Sequence, residues 1–525
     1  MSNPQTTIYL CKGVRLTNDY IHTIWFGSQT EQLNYFSSKV SKTLTNYTYV
    51  RKSWSLKVDA TMETARTWNY LYFRNGSGKY YFYFINNIEY INEHTVELFI
   101  EMDVMQTYLT DYTLSKCFVE REHSATDNIG DNVIDEGLEV GELVDLARSD
   151  VSGLSNLCIL IMSSIDPEKS TEETPFKMVG TLYDNIFSGL GIWGCEISDF
   201  ESVAEALNDL DSWGYSDGVF NIWVYPKNLV KLRPGYEWGS GSKIKMVLST
   251  EPLSFSTARN TKLKDSYIPK NNKLFCYPYN FLYVSNNGGG SATFKYEYFS
   301  DPSSIDFKVY GSLSPEGATK IAPSNYHRTA LKNFEEGLSG VPYPCCAWNQ
   351  DAYKLWLAQN QNTQNVGMIA SGASIVGGVA MIATGAGIPA GVGMIAGGVL
   401  GIGQQLAQKK DMSVQPPQTK GNHSSSLNIA NGFQTFTFTK KCIDTDRARI
   451  IDDYFSMFGY KTLRVKVPNR NVRENYTYTK TQNCHVSGNL CTDDLRKIQS
   501  IYDNGITFWK DGDKIGDYGV SNNCI

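Results

Sequence analysis

Adjacent carboxylates at Asp452–Asp453, Asp493–Asp494 and Glu172–Glu173 come nearest in this sequence to general acid–base chemistry. In such chemistry one carboxyl protonates a leaving group while its neighbour activates water or attacks. Their setting argues for another use. Two of the pairs fall on helix-patterned segments or first helical turns, where an acidic side chain faces the positive end of the helix dipole. The six histidines, at 22, 94, 123, 327, 423 and 485, form no ligand cluster. The eleven cysteines are scattered, and neither Cys345–Cys346 nor Cys484 with Cys491 has zinc-ligand spacing. They read as free thiols of a protein made in a reducing cytoplasm. No phosphate-binding loop, zincin or nucleophile-elbow spacing is present. Gly391-x-Gly393-x-x-Ala396, with Asp411 further on, matches a dinucleotide fingerprint in letters, but Pro389 stands where its strand must run. Gly397, Gly398, Gly401 and Gly403 then continue through the would-be helix. The expectation is a protein with no catalytic residue, cofactor or metal.

The unusual chemistry lies in apolar side chains. Between Lys354 and Lys409 there is no charged residue, and Pro389 divides the apolar part into two arms. The first, Val366 to Thr384, carries Val366, Gly367, Met368, Ile369, Ile375, Val376, Gly378, Val379, Met381 and Ile382. The second, from Gly387, Ile388 and Pro389 to Gly403, carries Gly391, Val392, Gly393, Met394, Ile395, Gly397, Val399, Leu400, Gly401 and Ile402. As a helix the first arm would measure about 28 Å against a hydrocarbon core of about 30 Å; the second is marginally short. Each interior glycine costs about 1 kcal/mol of helix stability in water, so water disfavours the helix. A bilayer demands that every backbone N–H and C=O be satisfied internally and so favours it. Small residues four apart, such as Ser374 with Gly378, Gly387 with Gly391 and Gly393 with Gly397 and Gly401, let such helices approach closely. A buried glycine-rich core hairpin, a flexible linker and a constitutive anchor remain open readings of the same letters.

The elements around this segment read as mainly β. Tyr 33, Phe 24 and Trp 10 enrich residues suited to a pleated, half-buried surface. From Tyr70 the sequence alternates aromatic and polar residues about Asn75-Gly76, which predicts a hairpin within a β-meander. Further hairpins are predicted at Asn286 to Gly290 and at Asp511-Gly512. The middle region differs: Ser198 and Glu201 are spaced as a capping box before a helical apolar stripe. Thr445 is expected to cap a helix with Ala448, Ile451, Phe455 and Phe458 on one face, and Thr492 another with Leu495, Ile498 and Ile501. The net charge of -6 gives no case for nucleic acid or an anionic surface as a bound partner. The N-terminal stretch has no signal-peptide core, so Sec export is not expected.

Several stretches carry a resemblance: "TNDYIHTIWF" from Thr17, "MDVMQTYLTDYTLSKCFVEREH" from Met102, "IDEGLEVGE" from Ile134, "FGYKTLRVKVPN" from Phe458 and "DDLRKIQSIYDNGITFW" from Asp493. Together they resemble the distal tail-tube, or tail knob, proteins of small short-tailed phages of Gram-positive bacteria. The resemblance implies a mainly β (α+β) fold of several barrel- or sandwich-like domains, forming one subunit of a homohexameric tube at the virion tail tip. It implies a tube domain at 1–145, a β domain at 271–350, a membrane-active loop with polar hinges at 351–424, and a closing β domain at 425–525; the inserted α+β domain at 146–270 is read from the residues alone and is where the sequence departs from the family, being shorter or differently composed. It also implies loops that plug the tube and later perforate the host cytoplasmic membrane, where they stay inserted during infection. Genomic DNA would pass through the lumen without sequence-specific contacts. The implied partners are an upstream lower collar or tail tube protein and a tail-tip peptidoglycan hydrolase. The rival reading from the residues is a tail adhesin whose aromatic β surfaces hold wall carbohydrate, with the apolar segment a core element.

Overall fold

The computed structural model describes residues 6–47, 54–76, 78–165, 182–183, 186–187, 190–213, 218–238, 242–301, 303–314, 317–327, 329–343, 345–347, 423–424 and 435–525. The chain divides into two compact units: Met1–Glu142 with Lys262–Tyr279 and Ile443–Ile525, and Leu143–Thr261 with Asn280–Cys442. Each has its own apolar core.

In the first unit a six-stranded sheet runs in the order Val40–Tyr47, Thr6–Cys11, Tyr70–Arg74, Tyr80–Asn92, Thr95–Met102, Ser55–Asp59. The expected hairpin pairs Tyr70 with Phe84 and Arg74 with Tyr80. Its turn is closed by the Asn75 side chain, which accepts from the Lys79 N–H at 2.8 Å. Aromatic residues at alternate positions bury the inner face, with Phe36 stacked on Tyr70 at 5.2 Å between ring centres. Burial of such a ring contributes roughly 2–3 kcal/mol. A second sheet of five strands, His22–Ile24, Ile506–Trp509, Tyr476–Gln482, Cys117–Glu122 and Tyr460–Lys466, joins the two ends of the sequence.

That arrangement corrects the third hairpin. Ile506–Trp509 is paired in parallel with His22–Ile24 on one side and antiparallel with Tyr476–Gln482 on the other, so both of its edges are occupied. Asp511 instead caps a short 3-10 turn, Gly512–Lys514, by accepting from the Asp513 N–H. The two C-terminal helices form as expected, but their caps shift by one residue. Asp444 caps Thr445–Phe458 by accepting from the Asp446 N–H, while the Thr445 hydroxyl donates to the Lys264 carbonyl. Cys491 precedes Thr492–Asn504 without a side-chain cap, and Thr492 is its first residue. Ala448, Ile451 and Phe455 are buried, as are Ile498 and Ile501, whereas Phe458 and Leu495 are half-buried.

The second unit centres on a seven-stranded sheet ordered Val230–Glu237, Lys245–Thr250, Gly191–Glu196, Leu157–Ser163, Val219–Pro226, Cys345–Ala347, His423–Ser424. Its middle strands read as near-continuous apolar runs, consistent with burial on both faces. The helix Phe200–Ser212 follows a 3-10 turn at Ile197–Asp199 and buries Val203, Ala206, Leu207 and Leu210. A four-stranded sheet contains the hairpin Asn280–Ser285 with Ser291–Phe294. There the Asn286 side chain accepts from the N–H groups of Gly288 and Gly290, at 2.9 and 2.8 Å.

Candidate functional site

The apolar segment, with every membrane-active residue named above from Val366 to Ile402, lies outside the described residues, as do its polar flanks. What is described is its base. Cys345–Ala347 forms antiparallel pairs with Val219–Pro226, matching Cys345 to the fully buried Trp223 and Cys346 to Ile222. On its other side it pairs with His423–Ser424, matching Cys345 to Ser424 and Cys346 to His423. Residues 348–422 therefore leave and rejoin the same sheet edge, at points one inter-strand spacing apart, about 4.8 Å. Closing a loop of this length costs about 4 kcal/mol in chain entropy. The strand pair can offset that cost because Val219–Pro226 is itself fixed by the core. Immediately before the stem, Tyr343 is buried against Tyr225 at 5.3 Å between ring centres.

Of the two described carboxylate pairs, Asp452 and Asp494 are committed to structure. Asp452 has no exposed surface, and its oxygens accept from the Tyr267 hydroxyl at 2.6 Å, the Lys270 N–H at 2.7 Å, the Asn271 N–H at 3.0 Å and the Asn271 amide at 2.8 Å. A carboxylate so supplied with donors has its acceptor sites occupied and no lone pair directed at a substrate. Its neighbour Asp453 is exposed and meets Lys270 at 3.2 Å. Asp494 is buried and accepts from the Tyr108 hydroxyl at 2.8 Å. Glu172 and Glu173 lie outside the described residues. Cys11, Cys158 and Cys195 are buried thiols pushed up to about 12 by burial, which makes them poor nucleophiles. Among the described residues no His/Cys/Asp/Glu group is arranged to hold a metal ion, and no helix is long and apolar enough to cross a membrane.

Three of the quoted stretches, those from Met102, Ile134 and Phe458, meet in the first unit at a buried polar cluster. Glu136, from "IDEGLEVGE", is bound by the Arg121 guanidinium, from "FVEREH", and by the Lys273 ammonium. It also accepts from the Lys461 N–H at 3.0 Å. Arg121 donates to the Gly459 carbonyl at 2.7 Å, and Glu122 pairs with Lys466 at 2.5 Å and accepts from the Asn469 N–H at 2.9 Å. Burial pulls the Lys273 ammonium below its usual range, with Glu136 opposing that shift. Gly459 sits at φ 63 where a Cβ would stand 2.2 Å from the Glu122 carbonyl oxygen, so this junction requires glycine. His123 is buried, its Nδ1 accepting from the Tyr478 N–H at 2.7 Å and its Nε2 lying 3.1 Å from the Ser456 carbonyl. Burial first, and the positive charge of Arg473 second, lower it to about 3. It is a neutral structural histidine.

Beside this cluster is a cavity of about 370 Å³ lined by His123, Asp127, Asn271, Arg473, Tyr476 and the segment 519–524. Sequence reasoning does not find it. Arg473 stands in the polar run "PNRNVREN", which reads as exposed loop, and its partners come from three separated parts of the chain.

Known proteins give this geometry its context. Residues 245–523 match the family model of the C-terminal domain of the Bacillus phage phi29 tail knob protein gp9, and residues 4–113 match that of the caudoviral major tail protein N-terminus. The tail knob protein gp9 of Bacillus phage B103 is 24% identical over 590 residues, covering 98% of each chain. Those of phages PZA and phi29 are each 25% identical, also covering 98% of each chain. The solved structure of the bacteriophage C1 tail knob protein gp12 superposes with a TM-score of 0.65 over 99% of this chain and 100% of that one, at 15% identity, which shows a shared fold. With one family model spanning more than half of its length and relatives matched end to end, this chain belongs to the phage tail knob protein family and is a structural protein of the virion tail.

Proposed function

We propose that the chain is a non-enzymatic, homohexameric tube component of the distal tail, whose apolar segments plug the lumen and are released to perforate the host cytoplasmic membrane and open a channel for DNA. The observation that carries this reading is a charge-free, glycine-loosened segment, Asn365 to Gly403, hung from one strand pair of a tail knob family member. Water opposes its helix and lipid promotes it, so transfer between the two solvents is itself the conformational switch. Six copies delivered together add avidity that no single weakly apolar hairpin has. Small residues four apart then permit close helix packing within lipid.

In this reading residues 1–145, 271–350 and 425–525 build the tube, 146–270 form a distal insert, and 351–424 form the loop with its polar hinges. Pro416 and Pro417 bar helix from continuing past the second arm. DNA slides through without base contacts, along walls that avoid a basic groove, because phosphate attraction would retard it. The upstream lower collar or tail tube protein joins the assembly above, and a tail-tip peptidoglycan hydrolase opens the wall ahead of it. Liposomes loaded with a self-quenched dye test this directly. The intact chain should release the dye, and deletion of 365–403 should abolish release while leaving six-fold particles visible by electron microscopy. Undiminished release by the deletion variant would defeat the proposal.

A further inference from the structure

A second depression of the first unit, of about 510 Å³ and open to solvent, has the half-buried rings of Trp25 and Tyr35 in its lining and shares no residue with the Glu136 cluster. Its walls are fixed by the fold. Trp25 follows the strand His22–Ile24, its N–H donates to the Trp509 carbonyl at 2.7 Å, and the Arg470 guanidinium lies 4.7 Å from its ring centre. Tyr35 stands on the helix Gln29–Ser38 one turn after Glu31. Gly512 packs on it so closely that a Cβ there would come within 2.4 Å of the tyrosine oxygen. Lys39, which ends the helix, pairs with Asp513 at 2.5 Å and ties the helix to the turn Gly512–Lys514.

The rim carries hydrogen-bonding groups that the fold leaves to solvent. Asn34 and Asn471 are exposed, and neither carboxamide has a partner among the described residues; Lys510 is exposed and makes no ion pair among them. Glu31 gives Oε2 to the Gly27 N–H at 2.9 Å, and Asp511 gives Oδ1 to the Asp513 N–H at 2.9 Å, so the second oxygen of each is open. A carboxamide donates and accepts, a carboxylate only accepts and an ammonium only donates. A ligand rich in hydroxyls satisfies all three kinds, because each hydroxyl does both, while the C–H face of a sugar ring covers the apolar surface of Trp25 and Tyr35. Charge narrows the class further: two carboxylates face one ammonium, so a polyanion is repelled on balance. The volume falls in the range of about 300–1,000 Å³ typical of small-ligand clefts, which suits a short oligosaccharide. We propose that this depression binds a short uncharged glycan, with Trp25 and Tyr35 as its apolar floor and the Asn34 and Asn471 carboxamides as the groups that read the sugar hydroxyls.

Isothermal titration of the full chain with tri-N-acetylchitotriose, maltotriose and a glycerol phosphate polymer tests the site and its chemistry. At least one of the neutral trisaccharides should bind saturably with a Kd below roughly 10 mM, and the one preferred tells an N-acetylhexosamine site from a hexose site. The anionic polymer should bind at least about tenfold more weakly than that trisaccharide. The double variant Asn34→Ala, Asn471→Ala removes only exposed side chains, so it should keep the wild-type urea midpoint while weakening the trisaccharide at least about tenfold. It should also release liposome dye as the wild type does, which separates failure of this site from failure of the channel. No saturable heat with either trisaccharide up to roughly 10 mM, binding that survives the double variant unchanged, or tighter binding of the polymer would overturn the assignment.

Discussion

Protonating His123 should weaken the first unit by an amount the structure fixes. The buried ring stays neutral in the fold because it is lowered to about 3, whereas in the unfolded chain it titrates near its ordinary value of about 6.5. A group whose folded value is depressed in this way gives stability that is full above the unfolded value and is lost as pH falls towards the folded one. Between pH 7.5 and pH 5 the unfolded state takes up a proton that the folded state refuses, a loss of about 2 kcal/mol. That figure requires only that the ring be still neutral at pH 5. Asp103 works in the opposite direction. Burial pushes its carboxyl up to about 6, despite hydrogen bonds from Gln106, Tyr70 and Met105, so its contribution is lost as pH rises and acidification to pH 5 returns about 1 kcal/mol. The total pH profile is consequently shallow, and His123 must be isolated by difference. His123→Gln keeps a donor for the Ser456 carbonyl, loses the acceptor for the Tyr478 N–H and cannot titrate. It should cost about 1–3 kcal/mol at pH 7.5. The deficit relative to wild type should shrink by about 2 kcal/mol at pH 5. Hydrogen exchange of peptides from the strand Tyr476–Gln482, corrected for intrinsic rates, reads opening of this unit alone. A deficit that stays constant with pH would refute the neutral, structural reading of His123.

Three further perturbations follow from the same unit. Glu136→Ala leaves Arg121 and Lys273 buried without their shared counter-charge and should cost about 3–5 kcal/mol, read as a lowered urea midpoint; an unchanged midpoint would mean that water replaces the carboxylate. Gly459→Ala drives a Cβ into the Glu122 carbonyl at positive φ and should cost more than about 2 kcal/mol in the same assay, with a wild-type midpoint contradicting the close approach. Purified cell wall incubated with the chain should yield no soluble sugar or peptide. Products that disappear with Asp452→Asn would show that this carboxylate is not merely a structural acceptor.

The sequence made local order legible and long-range order opaque. Alternation about Asn75, turn chemistry at Asn286 to Gly290 and apolar stripes before Gly459 and Gly505 each involve neighbours within one element, and each forms where expected. The hairpin expected at Asp511-Gly512 failed for a reason no local signal carries. The strand before it is sandwiched between residues from opposite ends of the chain. The Glu136 cluster has the same character, since its partners Arg121, Lys273 and Lys461 come from three distant stretches. At the candidate site, composition gave the apolar segment, while the shared strand pair at its base emerged only from the sheet order. The Arg473 cavity left no mark in spacing, because an arginine among asparagines looks like solvent-exposed loop.

The central claim is that the segment hung from this strand pair enters lipid while the β framework does not. An apolar photoactivated carbene probe dissolved in liposomes, followed by peptide mapping of the intact chain after dye release, measures that entry residue by residue. The account predicts label concentrated in both arms, Val366 to Thr384 and Ile388 to Gly403, and absent from strands such as Tyr70–Arg74 and Tyr476–Gln482. Label spread evenly over the framework, or arms left unlabelled while the dye escapes, would contradict it.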